Sequence, residues 1–172
     1  MVRRSHAIAG LIVVLSVALP AEGNSSPVAS ATGGYRWTIA EDDIFGIEVT
    51  NRHLNVSARK HTDGSSSGIF VYDQVVEGES FRFVVSVTCF EVYDGNRAKV
   101  GGVVEMSNFP PLPAGVFAWF QAIDNGEGVD ALPDRSTLLG FGDEAANEAF
   151  CNSPDPPRFG PWDVIGNLQV QP

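Results

Sequence analysis

Three carboxylates and an amide gather among glycines at Asp124-Asn125-Gly126-Glu127-Gly128-Val129-Asp130. Calcium takes about 6 to 8 oxygen ligands from flexible loops of this make-up, so Asp124, Asn125, Glu127 and Asp130 form a candidate calcium site. The spacing departs from the EF-hand loop, whose third and fifth positions carry oxygen side chains where Gly126 and Gly128 stand here. A solvated loop joining two strands, with glycine supplying positive φ, accounts for the same residues and is favoured. No other metal or cofactor is expected.

Gly64-Ser65-Ser66-Ser67-Gly68 fits the G-x-S-x-G pattern, and His53, His61 and Asp63 lie near it in the chain. The chemistry this suggests is serine hydrolysis, which needs the serine on a strained strand-to-helix turn beside oxyanion-binding amides. Residues 69–76 read as a strand instead, so a small-residue hairpin loop is favoured and no catalytic residue is assigned. A zinc site would need His53 and His61 with Asp63 or Asp73, a spacing that matches no common ligand pattern. Paired carboxylates carry no weight, because with 21 acidic residues some pair falls at glycosidase distance by chance.

Tyr35, Trp37, Tyr72, Tyr93, Trp119 and Trp162 are the right residues to stack on sugar rings or to line the mouth of a barrel. Most occupy alternating strand positions and are expected in the core. Trp162, in the Pro/Gly-rich stretch 155–162, is the least tied to a strand and is the candidate ligand-binding residue.

The elements that position these side chains follow an export signal. Arg3 and Arg4 precede an uncharged apolar run over residues 8–19, the shape of a signal peptide, and the run falls short of the ~20 residues that span a bilayer. Ala21-Glu22-Gly23 and Ala29-Ser30-Ala31 are the two small-x-small sites for cleavage, after residue 23 or after residue 31. This divides the chain into a signal peptide over 1–31 and a single domain over 32–172, secreted or on the exterior of the cell envelope, with no membrane span after cleavage. The formal net charge of −10 becomes one unit more negative when Arg3, Arg4 and Glu22 are removed. Nucleic acid and anionic membranes are disfavoured as partners, since both reward clustered cations. Cys89 and Cys151 are the chain's 2 cysteines, and in an oxidising compartment a disulfide between them is the default.

Period-two alternation and β-branched or aromatic residues predict strands near 35–39, 44–50, 53–60, 69–76, 81–93, 97–106, 116–123, 137–141 and 164–170. The apolar phase flips near Cys89, predicting a bulge or break there. Glu77-Gly78-Glu79 and Asp94-Gly95-Asn96 are turn signals, and on the strand after them Ala98, Val100, Gly102, Val104 and Met106 share one side. The best helical candidate, 143–150, is short. The fold class expected is all-β, an antiparallel meander of about eight strands closing as a barrel or packing as a sandwich, with little or no helix outside the signal peptide.

Val87-Thr88-Cys89-Phe90 followed by Gly95-Asn96-Arg97-Ala98-Lys99-Val100-Gly101-Gly102-Val103 resembles an uncharacterised family of exported bacterial all-β domains. The family's later Asp-Asn-Gly-Glu loop and closing Gly-Asn strand correspond to Asp124-Asn125-Gly126-Glu127 with Asp130, and to Gly166-Asn167-Leu168-Gln169-Val170. The resemblance spans residues 33–171, with specific motifs in the second half. It implies a β fold and pairing of the two cysteines, and it brings no activity. The chain ends Gln171-Pro172 where the family pattern has a histidine.

The function expected is that of a non-enzymatic domain binding an extracellular ligand or an envelope protein through loops or the open end of the β structure. The alternatives are a secreted hydrolase and a structural protein of the envelope.

Overall fold

Alternation of apolar and polar residues with tight glycine turns dictates the middle of the chain. In the computed structural model, which describes residues 25–37, 49–154 and 160–172, four strands follow one another: β2 (Val49–His61), β3 (Ser66–Val76), β4 (Glu79–Tyr93) and β5 (Arg97–Ser107). Each pairs antiparallel with the next. Glu77 and Gly78 join β3 to β4 with φ of 48° and 84°, the two-residue turn whose twist suits flanking strands. Residues 155–159 and the 44–48 part of an expected strand lie outside the described residues; Val49 and Thr50 open β2 rather than a separate strand.

β1 (Pro27–Trp37) pairs with β2 on one side and with the last strand, β9 (Trp162–Gln171), on the other. β6 (Phe117–Ile123) pairs with β5, and β7 (Arg135–Ser136) links β6 to β9. The pairings therefore run in a ring, with β8 (Gly140–Gly142) attached to β6. α1 (Glu144–Asn152) lies against β4, β5 and β6. The all-β expectation holds, with nine strands and one short helix among the described residues. No helix among them is long and apolar enough to cross a membrane.

Inward alternation fills the ring. Leu54, Phe70, Phe83, Phe90, Phe120 and Leu168 are each no more than 1% exposed, and burying one such side chain stabilises by roughly 1.5–3 kcal/mol. The register slips between Val87 and Cys89, which resets the phase so that Phe90 points in, as the flip in the sequence predicts. A second slip puts Val85 opposite Val104 and Val84 opposite Met106. Met106 is consequently turned out, at 64% exposure, and does not share the inward side with Val104.

The expected strand over 137–141 is split. Thr137 donates its amide to the Gln121 carbonyl at 2.9 Å, but its hydroxyl, not its carbonyl, accepts from the Gln121 amide at 3.0 Å. That substitution of side chain for backbone interrupts the ladder between β7 and β8. The helix forms where the sequence predicts it: the Asp143 carboxylate caps α1 by accepting from the Ala146 amide at 2.8 Å.

β1 begins at Pro27, ahead of the strand expected over 35–39, whose last two residues lie outside the described ones, because Ala29 and Ala31 already face inward, Ala31 with no exposed surface. Of the two expected cuts, the one after residue 31 would remove the first five residues of β1, four of which pair with β2 and two of these also with β9, whereas the one after residue 23 leaves β1 whole.

Candidate functional site

On the outer face of β1 to β4 the register lines up four polar side chains. Arg36 lies opposite His53, His53 opposite Asp73, and Asp73 opposite Arg82, a row spanning three strand spacings, about 14 Å. Asn108 ends the row: its Oδ1 accepts from the Arg82 amide at 2.6 Å and its Nδ2 donates to the Ser80 carbonyl at 3.4 Å. Two shallow grooves follow this row and share His53. One, of about 370 Å³, runs past Gly34, Arg36, Asn55 and Ile165; the other, of about 420 Å³, runs past Asn51, Gln74, Phe81 and Arg82.

The face carries Arg36, Arg59 and Arg82 on an acidic chain. Arg82 Nη1 reaches Asp73 Oδ1 at 3.7 Å with both side chains well exposed, a contact of little energetic weight. Arg36, His53 and Arg59 have no ion-pair partner among the described residues. Where β1 to β4 pair with one another, alternation turns one carboxylate outward among the described residues, that of Asp73.

Inside the ring, the register slip between Thr50 and His53, with Asn51 at φ 49°, turns Arg52 inward. Arg52 is 7% exposed and its Nη1 has no hydrogen-bond partner among the described residues. Tyr72 lies beside it; burial pushes the Tyr72 hydroxyl well above its ordinary range, and the neighbouring guanidinium opposes that shift. The Tyr35 hydroxyl is likewise raised by burial and shares a 2.8 Å hydrogen bond with Ser136 Oγ, while Trp37 Nε1 donates to the Ser136 carbonyl at 3.3 Å. Tyr35, Trp37 and Tyr72 are thus core residues, as expected.

The Asp124 loop is committed to backbone hydrogen bonds. Asp124 Oδ1 accepts from the Gly126 amide at 2.7 Å and its Oδ2 from the Val170 amide at 2.8 Å. Asn125 donates its amide to Asp134 Oδ1 at 2.9 Å, and Asp134 Oδ2 accepts from Leu168 at 3.1 Å. The carboxylates stand in for a neighbouring strand along the C-terminal half of β9. Glu127 and Asp130 are exposed, and no group of three or more His, Cys, Asp or Glu among the described residues is placed to hold a metal ion.

The serine hairpin has a contact that the motif did not indicate. Ser66, its central serine, accepts from the Phe90 amide at 3.0 Å. Ser67 Oγ instead lies 2.6 Å from His61 Nε2, with His61 Nδ1 3.2 Å from the Ser25 carbonyl. Asp63 turns to Ser65, whose hydroxyl and amide hold its carboxyl below the usual carboxylate range. His53 and His61 lie eight positions apart on β2, roughly 26 Å, so the structure does not bring them together. Trp162 opens β9 opposite Ser136 and packs half-buried against the core, outside the two grooves.

Cys89 and Cys151 are bonded, with Cα atoms 6.3 Å apart, which fastens α1 to β4. Lys99 Nζ donates to the Ser153 carbonyl just past the helix and lies over the rings of Tyr93 and Phe150. Trp119 faces outward and stacks on Phe150 at 5.9 Å, so the helix gives it a second, smaller core.

Sequence reasoning singled out His53 and Asp73 for zinc and passed over Arg36, Arg82 and Asn108. The five come from separate strands and a loop, so no local motif joins them; the signal available was their shared outward parity.

No family model matches the chain, and neither a curated protein nor a solved structure matches it.

Proposed function

We propose that the chain is an exported, non-enzymatic binding domain that holds an extracellular or envelope ligand on the outer face of β1 to β4. The observation that carries this is the row from Arg36 to Arg82, with two grooves that share His53. Hydrogen-bonding groups at fixed strand spacing, without a nucleophile and base converging among them, are what a recognition surface needs and what a catalytic pocket lacks. A structural role through strand addition needs an exposed sheet edge; β1 to β5 each pair on both sides, and on the open side of β9 the Leu168 and Val170 amides are taken by Asp134 and Asp124.

The contact between His61 and Ser67 favours the hydrolase reading. Against it, the amides of Gly64 and Ser65, the nearest oxyanion donors, already donate to the His61 carbonyl and to Asp63, and such donors must be free for the developing charge.

Titration of isotope-labelled protein with soluble extracellular polymers, followed by amide NMR shifts, tests the proposal. Shifts clustering at residues 34–36, 51–55, 73–75 and 80–82 are expected. Ester hydrolysis abolished by both Ser67→Ala and His61→Ala would replace the binding reading with the hydrolase.

A further inference from the structure

The charge on this face specifies a ligand more closely than its shape does. The whole chain carries a formal charge of −10, yet the outward side chains of β1 to β4 include Arg36, Arg59 and Arg82 against Asp73 and Glu91, the last paired with Lys60 at 2.6 Å. Outward arginines on a domain of net negative charge offer local attraction to anionic groups.

The spacing decides which anion. Arg36 and Arg82 are about 14 Å apart, with His53 and Asp73 between them in the row and the amides and hydroxyl of Asn51, Asn55, Ser80 and Asn108 beside the grooves. A nucleic acid duplex carries a charge every ~1.7 Å and is held by dense cationic surfaces, which this one is not. Sparse charges among many hydroxyls are the chemistry of a polysaccharide with carboxylated sugars. Amide side chains suit its hydroxyls, and guanidinium groups suit its carboxylates.

Resting on the binding reading above, we infer that the ligand is a linear, carboxylated polysaccharide lying across β1 to β4, its carboxylates on Arg36 and Arg82 and its hydroxyls on the amides beside the grooves. Polygalacturonate, neutral dextran and polyphosphate are the probes, with binding followed by calorimetry on the oxidised chain. Polygalacturonate is expected to bind, to be weakened about tenfold by R36E/R82E, and to weaken at ~1 M salt, where the Debye length falls to about 3 Å. The R97E control, at the first residue of β5, should leave it unchanged. R36Q/R82Q supplies the same comparison should the charge reversals disturb folding, as read by denaturation midpoint.

Absence of polygalacturonate binding, or binding that R36E/R82E and R36Q/R82Q leave unchanged, would overturn the inference. Binding of dextran on the same NMR-mapped face would leave the binding-domain reading standing and remove the anionic class. Binding of polyphosphate alone would replace carboxylate by phosphate.

Discussion

Asp134 holds the side of β9 that β1 does not cover, so its removal should cost more than a half-exposed loop residue ordinarily does. Asp134→Ala deletes two carboxylate–amide hydrogen bonds, from Asn125 at 2.9 Å and from Leu168 at 3.1 Å. Hydrogen bonds to charged groups contribute about 1.5–3 kcal/mol each, and partial exposure places this pair at the lower end, so a loss of roughly 3 kcal/mol is expected. Asp134→Asn should lose about half as much, because one amide oxygen still accepts while the NH2 group opposes the second N–H. Asp124→Ala removes the bonds from Gly126 and Val170. Since Val170 and Leu168 lie two residues apart on β9, the double variant should lose less than the sum, with a coupling of about 1 kcal/mol. Urea denaturation at constant m measures these differences, and hydrogen exchange at the Leu168 and Val170 amides locates them. A loss below ~0.5 kcal/mol for Asp134→Ala, the size of an ordinary surface substitution, would refute the latch. With both Asp124 oxygens engaged, calcium and a chelator should give the same midpoint; a rise in calcium would show that the loop serves an ion.

Alkaline pH should unfold the domain. Burial raises the hydroxyls of Tyr35 and Tyr72 above their ordinary value, whereas in the unfolded chain they ionise at about 10. Above that pH the unfolded state releases protons that the native state keeps, so stability is intact below about pH 10 and falls as pH rises beyond it. Tyrosinate absorbance should therefore show that 2 of the chain's 3 tyrosines ionise only together with the loss of native circular dichroism; their titration in the folded protein would contradict the packing. Closing a loop with a sequence separation of 62 should contribute roughly 4 kcal/mol. Cys151→Ser should thus lower the denaturation midpoint as far as the double Cys89→Ser/Cys151→Ser variant, and a much milder loss for the single would argue against the bond's contribution.

The core was largely legible in the sequence. Phe81 to Cys89 alternates and then changes phase, and a bulge sits at that position in the structure. Glu77-Gly78 and Asp94-Gly95 announced turns because few other residues accept positive φ. Reading failed where side chains replace backbone in the ladder: Thr137 interrupts an expected strand, and the Asp124 loop, whose composition suggests calcium, spends Asp124 and Asn125 on hydrogen bonds to strand and loop. Composition cannot separate these uses, since a carboxylate suited to a cation is equally suited to a backbone amide.

The sequence by itself determined that the chain forms antiparallel strands, which residues alternate inward, and that its cysteines number two, because those follow from local periodicity and counting. Tertiary structure alone decided that the ladders close into a ring, and that Arg36, His53, Asp73 and Arg82 share one row. Both depend on register between strands distant in the chain, which a one-residue slip would reverse and which long-range packing of the ring interior fixes.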